Sequence, residues 1–376
     1  MATLKQKAML LKGLLTGNTA GTGPLYVDLD LTNNCNLQCI GCPYHSPLVN
    51  SDFPHKSNIK NISLNLVANL CRQLKEMGTH TIILQGEGEP TLHPEFGRIV
   101  SICKENGLNV VVLTNGTMLD EERIHEIVKL DIDILKITFW AVTDETFELN
   151  YPGTRPETLQ KMMTGVRLLS RIKNEQRAKR PSIWLHHPVN PYNFKEVPAF
   201  IEFALEIQCQ QMTLAPFWAP GGALSEFNLT DDQKMKCIQL LTDLKHKIRD
   251  PEMLDTLNSA LVRFKKGSSF LSELPCYIGW YHLRIRTDGD VQPCGRCQLK
   301  LGNLNDHSLA DIWRSKESRD FRRRSATLEG LRSLSGSCDC NMCCYIHDNE
   351  RIHRHFKWLA PFSYSAKSKT AGFHNA

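Results

Sequence analysis

No run in this 376-residue chain approaches the roughly 18 consecutive apolar residues that a membrane-crossing helix needs. The opening segment, MATLKQKAMLLKGLLTGNTA, is too broken for a secretion signal. Lys12 interrupts its apolar stretch, and Leu4, Met9, Leu11 and Leu15 fit an amphipathic helix instead. A cytoplasmic chain with no membrane partner is therefore expected. Charge of one sign is also scarce: the excess is only +5, too little to imply a nucleic-acid partner. The one concentrated basic run, RSKESRDFRRR (314–324), reads as a solvated helix face. Internal repeats and low-complexity segments are absent. Only residues 1–24 precede the first strand, which leaves no room there for a separate peptide-recognition domain. With 41% hydrophobic and 23% charged residues, the chain can bury a full core and needs no covalent staples.

The 14 cysteines are unevenly spread. Cys71, Cys103, Cys209 and Cys237 sit singly in apolar surroundings and read as inert core thiols. Three more, Cys35, Cys39 and Cys42, fall within NNCNLQCIGCPYHS, and seven lie between Cys276 and Cys344. Clusters of this kind in an intracellular chain point to metal. Positions i, i+4 and i+7 would share a helix face, but Asn33, Asn34, Gly41 and Pro43 disfavour a helix there. A loop wrapping its thiols around one object remains. From these residues alone, that object is either zinc held by Cys35, Cys39, Cys42 and His45 or an iron–sulfur cluster with one iron left without a protein ligand.

Strand-like segments at 25–32, 80–86, 109–115, 133–140, 182–189 and 211–218 alternate with helical ones, such as 64–78, 157–172 and 196–207. This spacing predicts parallel strands joined by right-handed crossovers. The α/β fold expected is an open sheet or a partial (β/α)6 TIM-like barrel over 24–227, with its site at the carboxyl ends of the strands. A helical linker (228–270), a small cysteine-rich module (271–347) with a hairpin around Asp288-Gly289, and a C-terminal tail (348–376) would follow.

Polar motifs succeed the first four strands in order: Cys-x3-Cys-x2-Cys, then GEGEP (86–90), TNG (114–116) and ITFWA (137–141). This series resembles the radical S-adenosylmethionine (SAM) superfamily. The resemblance implies a SAM-binding 4Fe-4S cluster on Cys35, Cys39 and Cys42. It places Gly86 and Gly88 beside the methionyl amine and gives Glu89 a compensating charge. Asn115 falls near the ribose and Thr138 within hydrogen-bond reach of the cofactor. Two positions depart from the family pattern. Gly41 stands where a large or aromatic residue is common, leaving Tyr44 as a candidate for holding adenine. Trp140 and Ala141 replace a common Asp-Gly.

The distal segment resembles the SPASM/Twitch extension of the same superfamily. The full SPASM run Cys-x2-Cys-x5-Cys-x3-Cys is missing, which implies the shorter Twitch form with one auxiliary 4Fe-4S cluster on Cys276, Cys294, Cys340 and Cys343. Cys297, Cys338 and Cys344 are then spare, or one of them replaces a chosen ligand. A structural zinc ribbon is the plain alternative. An electron donor such as flavodoxin or ferredoxin is implied as a partner.

Alternation along the strands turns Asp28, Asp30, Lys136, Thr138, Trp140, Trp184 and His186 inward. Such a lumen suits a small polar substrate, with Lys136 and His186 as acid/base candidates; equally, its charges could form an ion network closed on itself. The expected activity is reductive cleavage of SAM to a 5′-deoxyadenosyl radical that takes hydrogen from this substrate, an oxidoreductase-type reaction. A peptide or protein maturase is the second reading, and a zinc-stabilised binding protein the third.

Overall fold

The computed structural model describes residues 4–49, 59–219, 222–246, 248–266, 274–338 and 345–356. Six parallel strands, β1 (Tyr26–Asp30), β2 (Thr81–Gln85), β3 (Asn109–Thr114), β4 (Ile134–Thr138), β5 (Ser182–Val189) and β6 (Gln211–Pro216), pair in sequential order. Helices α1 (Leu4–Thr16), α2 (Leu64–Glu76), α3 (Phe96–Glu105), α4 (Glu121–Lys129), α5 (Asp144–Asn150), α6 (Glu157–Glu175) and α7 (Val197–Glu206) precede or connect them. The sheet does not close, so the core is a partial barrel.

Alternation decides which side chains meet the helices. Ile82, Leu84, Val110, Val112, Leu135, Ile137, Ile183, Leu185, Met212 and Leu214 are buried in the core. Lys136, Thr138, Trp184, His186 and Thr213, one step out of phase, are half-buried on the other face. Caps start the helices where the sequence turns polar: Ser63 Oγ accepts the Leu66 N–H of α2, and an Asp120 carboxylate oxygen accepts the Arg123 N–H of α4.

The chain continues through α8 (Asp231–Lys245) and α9 (Pro251–Lys266). The distal segment then adds to the same sheet. Strand β7 (His282–Ile285) pairs parallel with β1 on the side away from β2, while β8 (Asp290–Gln292) and β9 (Gly302–Asn303) extend the edge antiparallel. Gly289, at φ +86°, makes the β7–β8 turn. Helices α10 (Leu309–Arg314), α11 (Lys316–Ser325), α12 (Leu328–Arg332) and α13 (Ile346–Phe356) complete the described chain, α13 crossing the expected start of the tail at 348.

The distal segment is fastened to the front of the chain. Trp280 Nε1–H donates to the Gly13 carbonyl at 3.0 Å, and Trp313 Nε1–H to that of Thr22 at 2.7 Å. The basic run is only partly a solvated face. Arg322 is buried, donates to the carbonyls of Gly279 (2.7 Å) and Trp313 (2.8 Å), and lies 4.3 Å over the Trp313 ring. Among the described residues, no helix is long and apolar enough to cross a membrane.

His187 on β5 gives the fold a measurable pH signature. It is wholly buried, its Nδ1 lies 2.8 Å from the Phe139 carbonyl, and its ring stacks on Phe200. With Nδ1–H donating, Nε2 is a buried lone pair without a hydrogen-bond partner, the nearest carboxylate oxygen being Glu196 Oε1 at 4.0 Å. Burial pushes the imidazole down to about 4. Between pH 6.5 and about 4 the unfolded chain therefore binds a proton that the folded chain refuses, and stability drops as pH falls, by up to about 3 kcal/mol. In paired urea titrations at pH 7.5 and 4.5, His187→Leu is expected to lose less stability on acidification than the parent. Equal losses would assign the acid sensitivity elsewhere.

Candidate functional site at the mouth of the barrel

The loop leaving β1 carries Cys35, Cys39 and Cys42, and the loops after β2 and β3 hold it in place. The Gly88 and Glu89 N–H groups donate to the carbonyls of Thr32 (3.0 Å) and Asn34 (2.7 Å). A β-carbon at Gly88 would collide with the Asn34 carbonyl, and one at Gly86 would lie 2.7 Å from that of Thr32. Here the two glycines let the second loop press against the backbone just before Cys35. Asn36 bridges to the third loop, donating to Thr117 Oγ1 (2.8 Å) and accepting from Asn115 Nδ2 (2.9 Å). Asn115 Oδ1 in turn accepts from the Thr117 N–H and hydroxyl.

Glu89 is buried in this lacing. One carboxylate oxygen accepts from the Thr91 N–H and the hydroxyls of Thr91 and Thr114; the other accepts from the Asn115 N–H at 2.7 Å. Burial raises its pKa against the pull of these bonds. The structure thus places Gly86, Gly88, Glu89 and Asn115 together around the cysteine loop. Thr138 ends β4, paired with His186 of β5.

Burial pushes the Cys35 thiol up to about 12, Cys39 well above the ordinary thiol range, and Cys42 upward against backbone N–H bonds. Two of those bonds come from Tyr44 and His45, at 3.4 and 3.3 Å from the Cys42 sulfur. Three half-buried thiols with pKa values raised in this way ionise only beside a strong positive centre. No three of the described His, Cys, Asp and Glu side chains are arranged to hold a single metal ion. His45, the zinc candidate's fourth ligand, has Nε2 2.7 Å from the Glu87 carbonyl. Three thiols on one short loop remain as its candidate donors.

Beyond the loop lies a charged network that crosses from β1 to β7. Arg284 forks onto Asp30, with Nη2 2.7 Å and Nε 3.0 Å from one carboxylate oxygen, and donates through Nη1 to the Gly295 carbonyl. His282 Nε2 lies 3.2 Å from Asp28, and Nδ1 is 3.0 Å from the Pro293 carbonyl. The Tyr345 hydroxyl sits 2.8 Å from Asp28 and 2.7 Å from His282. Arg286 pairs with Glu87. The inward charges of β1 are thus answered by the distal segment. Sequence reading left these partners out, although HLRIR (282–286) alternates polar and apolar in the same phase as YVDLD (26–30).

Near that network, Cys276 and Cys294 are half-buried. Cys297 and Cys338, two of the spare thiols, are joined by a disulfide. Cys340, Cys343 and Cys344 lie outside the described residues. In the lumen, burial and then the nearby Lys136, His187 and Arg263 hold His186 well below the usual histidine range. His186 is therefore a neutral base, and its buried Nδ1 has no partner. Tyr44 lies near Arg284.

Comparison with known proteins agrees with this geometry. The family model of the radical SAM superfamily matches residues 29–204, and the SPASM model, an iron–sulfur cluster-binding domain, matches 276–349. The tungsten-containing aldehyde ferredoxin oxidoreductase cofactor-modifying protein of Pyrococcus furiosus is 24% identical over 79% of this chain and 83% of its own. PqqA peptide cyclase of Bradyrhizobium diazoefficiens is 25% identical over 85% of this chain and 80% of its own. The fold is shared with Streptococcus suis SuiB bound to S-adenosylmethionine (TM-score 0.62, 16% identity, 91% of this chain and 77% of that one). It is also shared with anSMEcpe with bound AdoMet (TM-score 0.61, 17% identity, 90% and 99%).

Proposed function

The chain belongs to the radical SAM superfamily and carries a SPASM-type module, and on that premise we propose that Cys35, Cys39 and Cys42 hold its 4Fe-4S cluster beside bound SAM. Such a cluster supplies the single electron that cleaves SAM to a 5′-deoxyadenosyl radical. The observation that carries the assignment is the loop itself: three half-buried thiols after β1, laced to the loops after β2 and β3, inside the span that the radical SAM model matches. Three thiolates would serve three of the four irons and leave the fourth for the amino and carboxylate groups of SAM.

The remaining roles follow from position. Gly86 and Gly88 keep the second loop tight against the cysteine loop, so that its backbone faces the methionyl end of SAM. Glu89 and Asn115 fix that loop's shape and orient it. Cys276, Cys294, Cys340 and Cys343 would hold an auxiliary cluster, with an external donor such as flavodoxin or ferredoxin feeding the first. The substrate is a polar molecule entering the lumen, oxidised or rearranged after losing hydrogen. There His186, neutral, takes the proton that oxidation releases, and Lys136 orients a polar group. A peptide is the second reading, favoured by the peptide cyclase among the relatives.

A deuterated cell extract, split into small-molecule and polypeptide fractions, separates the two. With reductant and SAM, deuterium is expected in 5′-deoxyadenosine from the small-molecule fraction. Label from the polypeptide fraction alone would replace the first reading with the second. His186→Ala is expected to slow product formation roughly a hundredfold, the lower range for a lost general base, while SAM cleavage continues. Full-rate turnover would remove His186 from the mechanism.

A further inference from the structure

Glycine precedes the third cysteine, and the structure shows what occupies the space it leaves. A β-carbon on Gly41 would collide with Cη2 of Trp140, and would lie 2.6 Å from its Cζ3 and 2.9 Å from Cε2 of Phe217. The six-membered edge of the indole thus stands where a side chain at position 41 would begin. Trp140 follows β4 and Phe217 follows β6. Their rings pack 5.6 Å apart at 59°, and both residues are only half-buried.

The backbone at 140 is fixed independently of the ring. Its N–H donates to the Tyr151 hydroxyl at 2.8 Å, and its carbonyl accepts from Asn193 Nδ2 at 2.8 Å. The same Asn193 amide donates to the Pro188 carbonyl at the end of β5. The indole is therefore presented in a set position beside the cysteine loop.

We propose that Trp140, backed by Phe217, is the surface on which the adenine of SAM stacks in this chain, in the space that Gly41 keeps clear. The inference rests on the cluster-and-SAM reading above. SAM has one flat, weakly hydrated face, its adenine, and half-exposed aromatic rings beside the cluster loop match that face. Gly41 and Trp140 then form a complementary pair: the first has no side chain so that the second can reach the site.

The test uses anaerobically reconstituted protein and equilibrium dialysis with two probes, SAM and 5′-deoxyadenosine, with iron counted in every variant. A lost base–aromatic stack costs roughly ten- to a hundredfold in affinity. Trp140→Leu is expected to show that loss for both probes at full iron content. Gly41→Phe alone should bind poorly, because its ring meets the indole. The exchange Gly41→Phe/Trp140→Gly should recover most of the affinity. Unchanged binding in Trp140→Leu overturns the proposal. A loss for SAM alone also overturns it and assigns the ring to the sulfonium charge. Loss of iron in Trp140→Leu would make the indole a packing residue and likewise end the proposal. If the parent protein itself binds no SAM, the underlying cluster-and-SAM reading fails, and that outcome is distinct from failure of the variant.

Discussion

Replacing Cys39 with alanine is expected to remove about four of about eight irons per chain and to abolish 5′-deoxyadenosine formation. Cys39 is the most strongly neutralised of the three thiols: burial raises its pKa, and the neighbouring Cys42 and Cys35 raise it further. A thiol in such surroundings contributes little as a thiol and a great deal as a metal-bound thiolate. Its two loop partners would be left as the only thiolates, because no other cysteine lies between Leu31 and Leu70. The fold should survive, since Cys39 sits in a loop pinned by Ile40 N–H to the Asn150 carbonyl and by the Ser46 hydroxyl to that of Ile40. Iron and sulfide analysis of parent and variant, with far-ultraviolet circular dichroism as the control, reads the result. Undiminished 5′-deoxyadenosine from Cys39→Ala would refute the assignment, and zinc without sulfide in the parent would refute cluster chemistry altogether. About four irons remaining in the variant would locate the second cluster in the distal module.

Local signals carried the barrel and the cysteine loop. Strand–helix alternation is short-range, so the six parallel strands and the burial of Leu135 and Ile137 against half-buried Lys136 and Thr138 could be read directly. Cys35, Cys39 and Cys42 lie within eight residues of one another, and their spacing alone placed them together. Pairings across long separations could not be read in this way. Asp30 and Arg284 are 254 residues apart, so nothing local marks them as partners. Arg322 sits in a run that looks fully solvated, yet its guanidinium caps two buried carbonyls because α11 turns that face inward. Gly41 and Trp140 each looked anomalous alone, and only their contact explains both. Cys297 and Cys338, 41 residues apart, looked merely spare until the β-bridge between them brought them into bonding distance.

Arg284→Met should be the most destabilising substitution outside the metal sites, by about 3–5 kcal/mol, the usual result of removing one partner from a buried ion pair. Asp30 is completely buried, and burial pushes its carboxyl above the usual range even with the guanidinium forked onto it. Removing the guanidinium leaves that carboxylate uncompensated between β2 and β7, and also frees the Gly295 carbonyl beside Cys294. The sign of the pH response follows. A carboxyl whose folded pKa lies above its unfolded value retains a proton that the unfolded chain has lost. The variant should therefore lose stability as pH rises from about 4 toward neutrality, opposite in direction to the His187 effect. Asp30→Leu/Arg284→Met removes both charges and should recover most of the loss. Denaturant unfolding of the parent and both variants at pH 5 and 7.5 measures all three quantities. A single variant as stable as the parent, or a double variant no better than the single, would show that the pair does not hold β7 to β1. The iron count links this staple to chemistry: β8, paired with β7, leads directly to Cys294, so Arg284→Met should also load less iron in the distal module while the cluster proposed on Cys35, Cys39 and Cys42 fills normally.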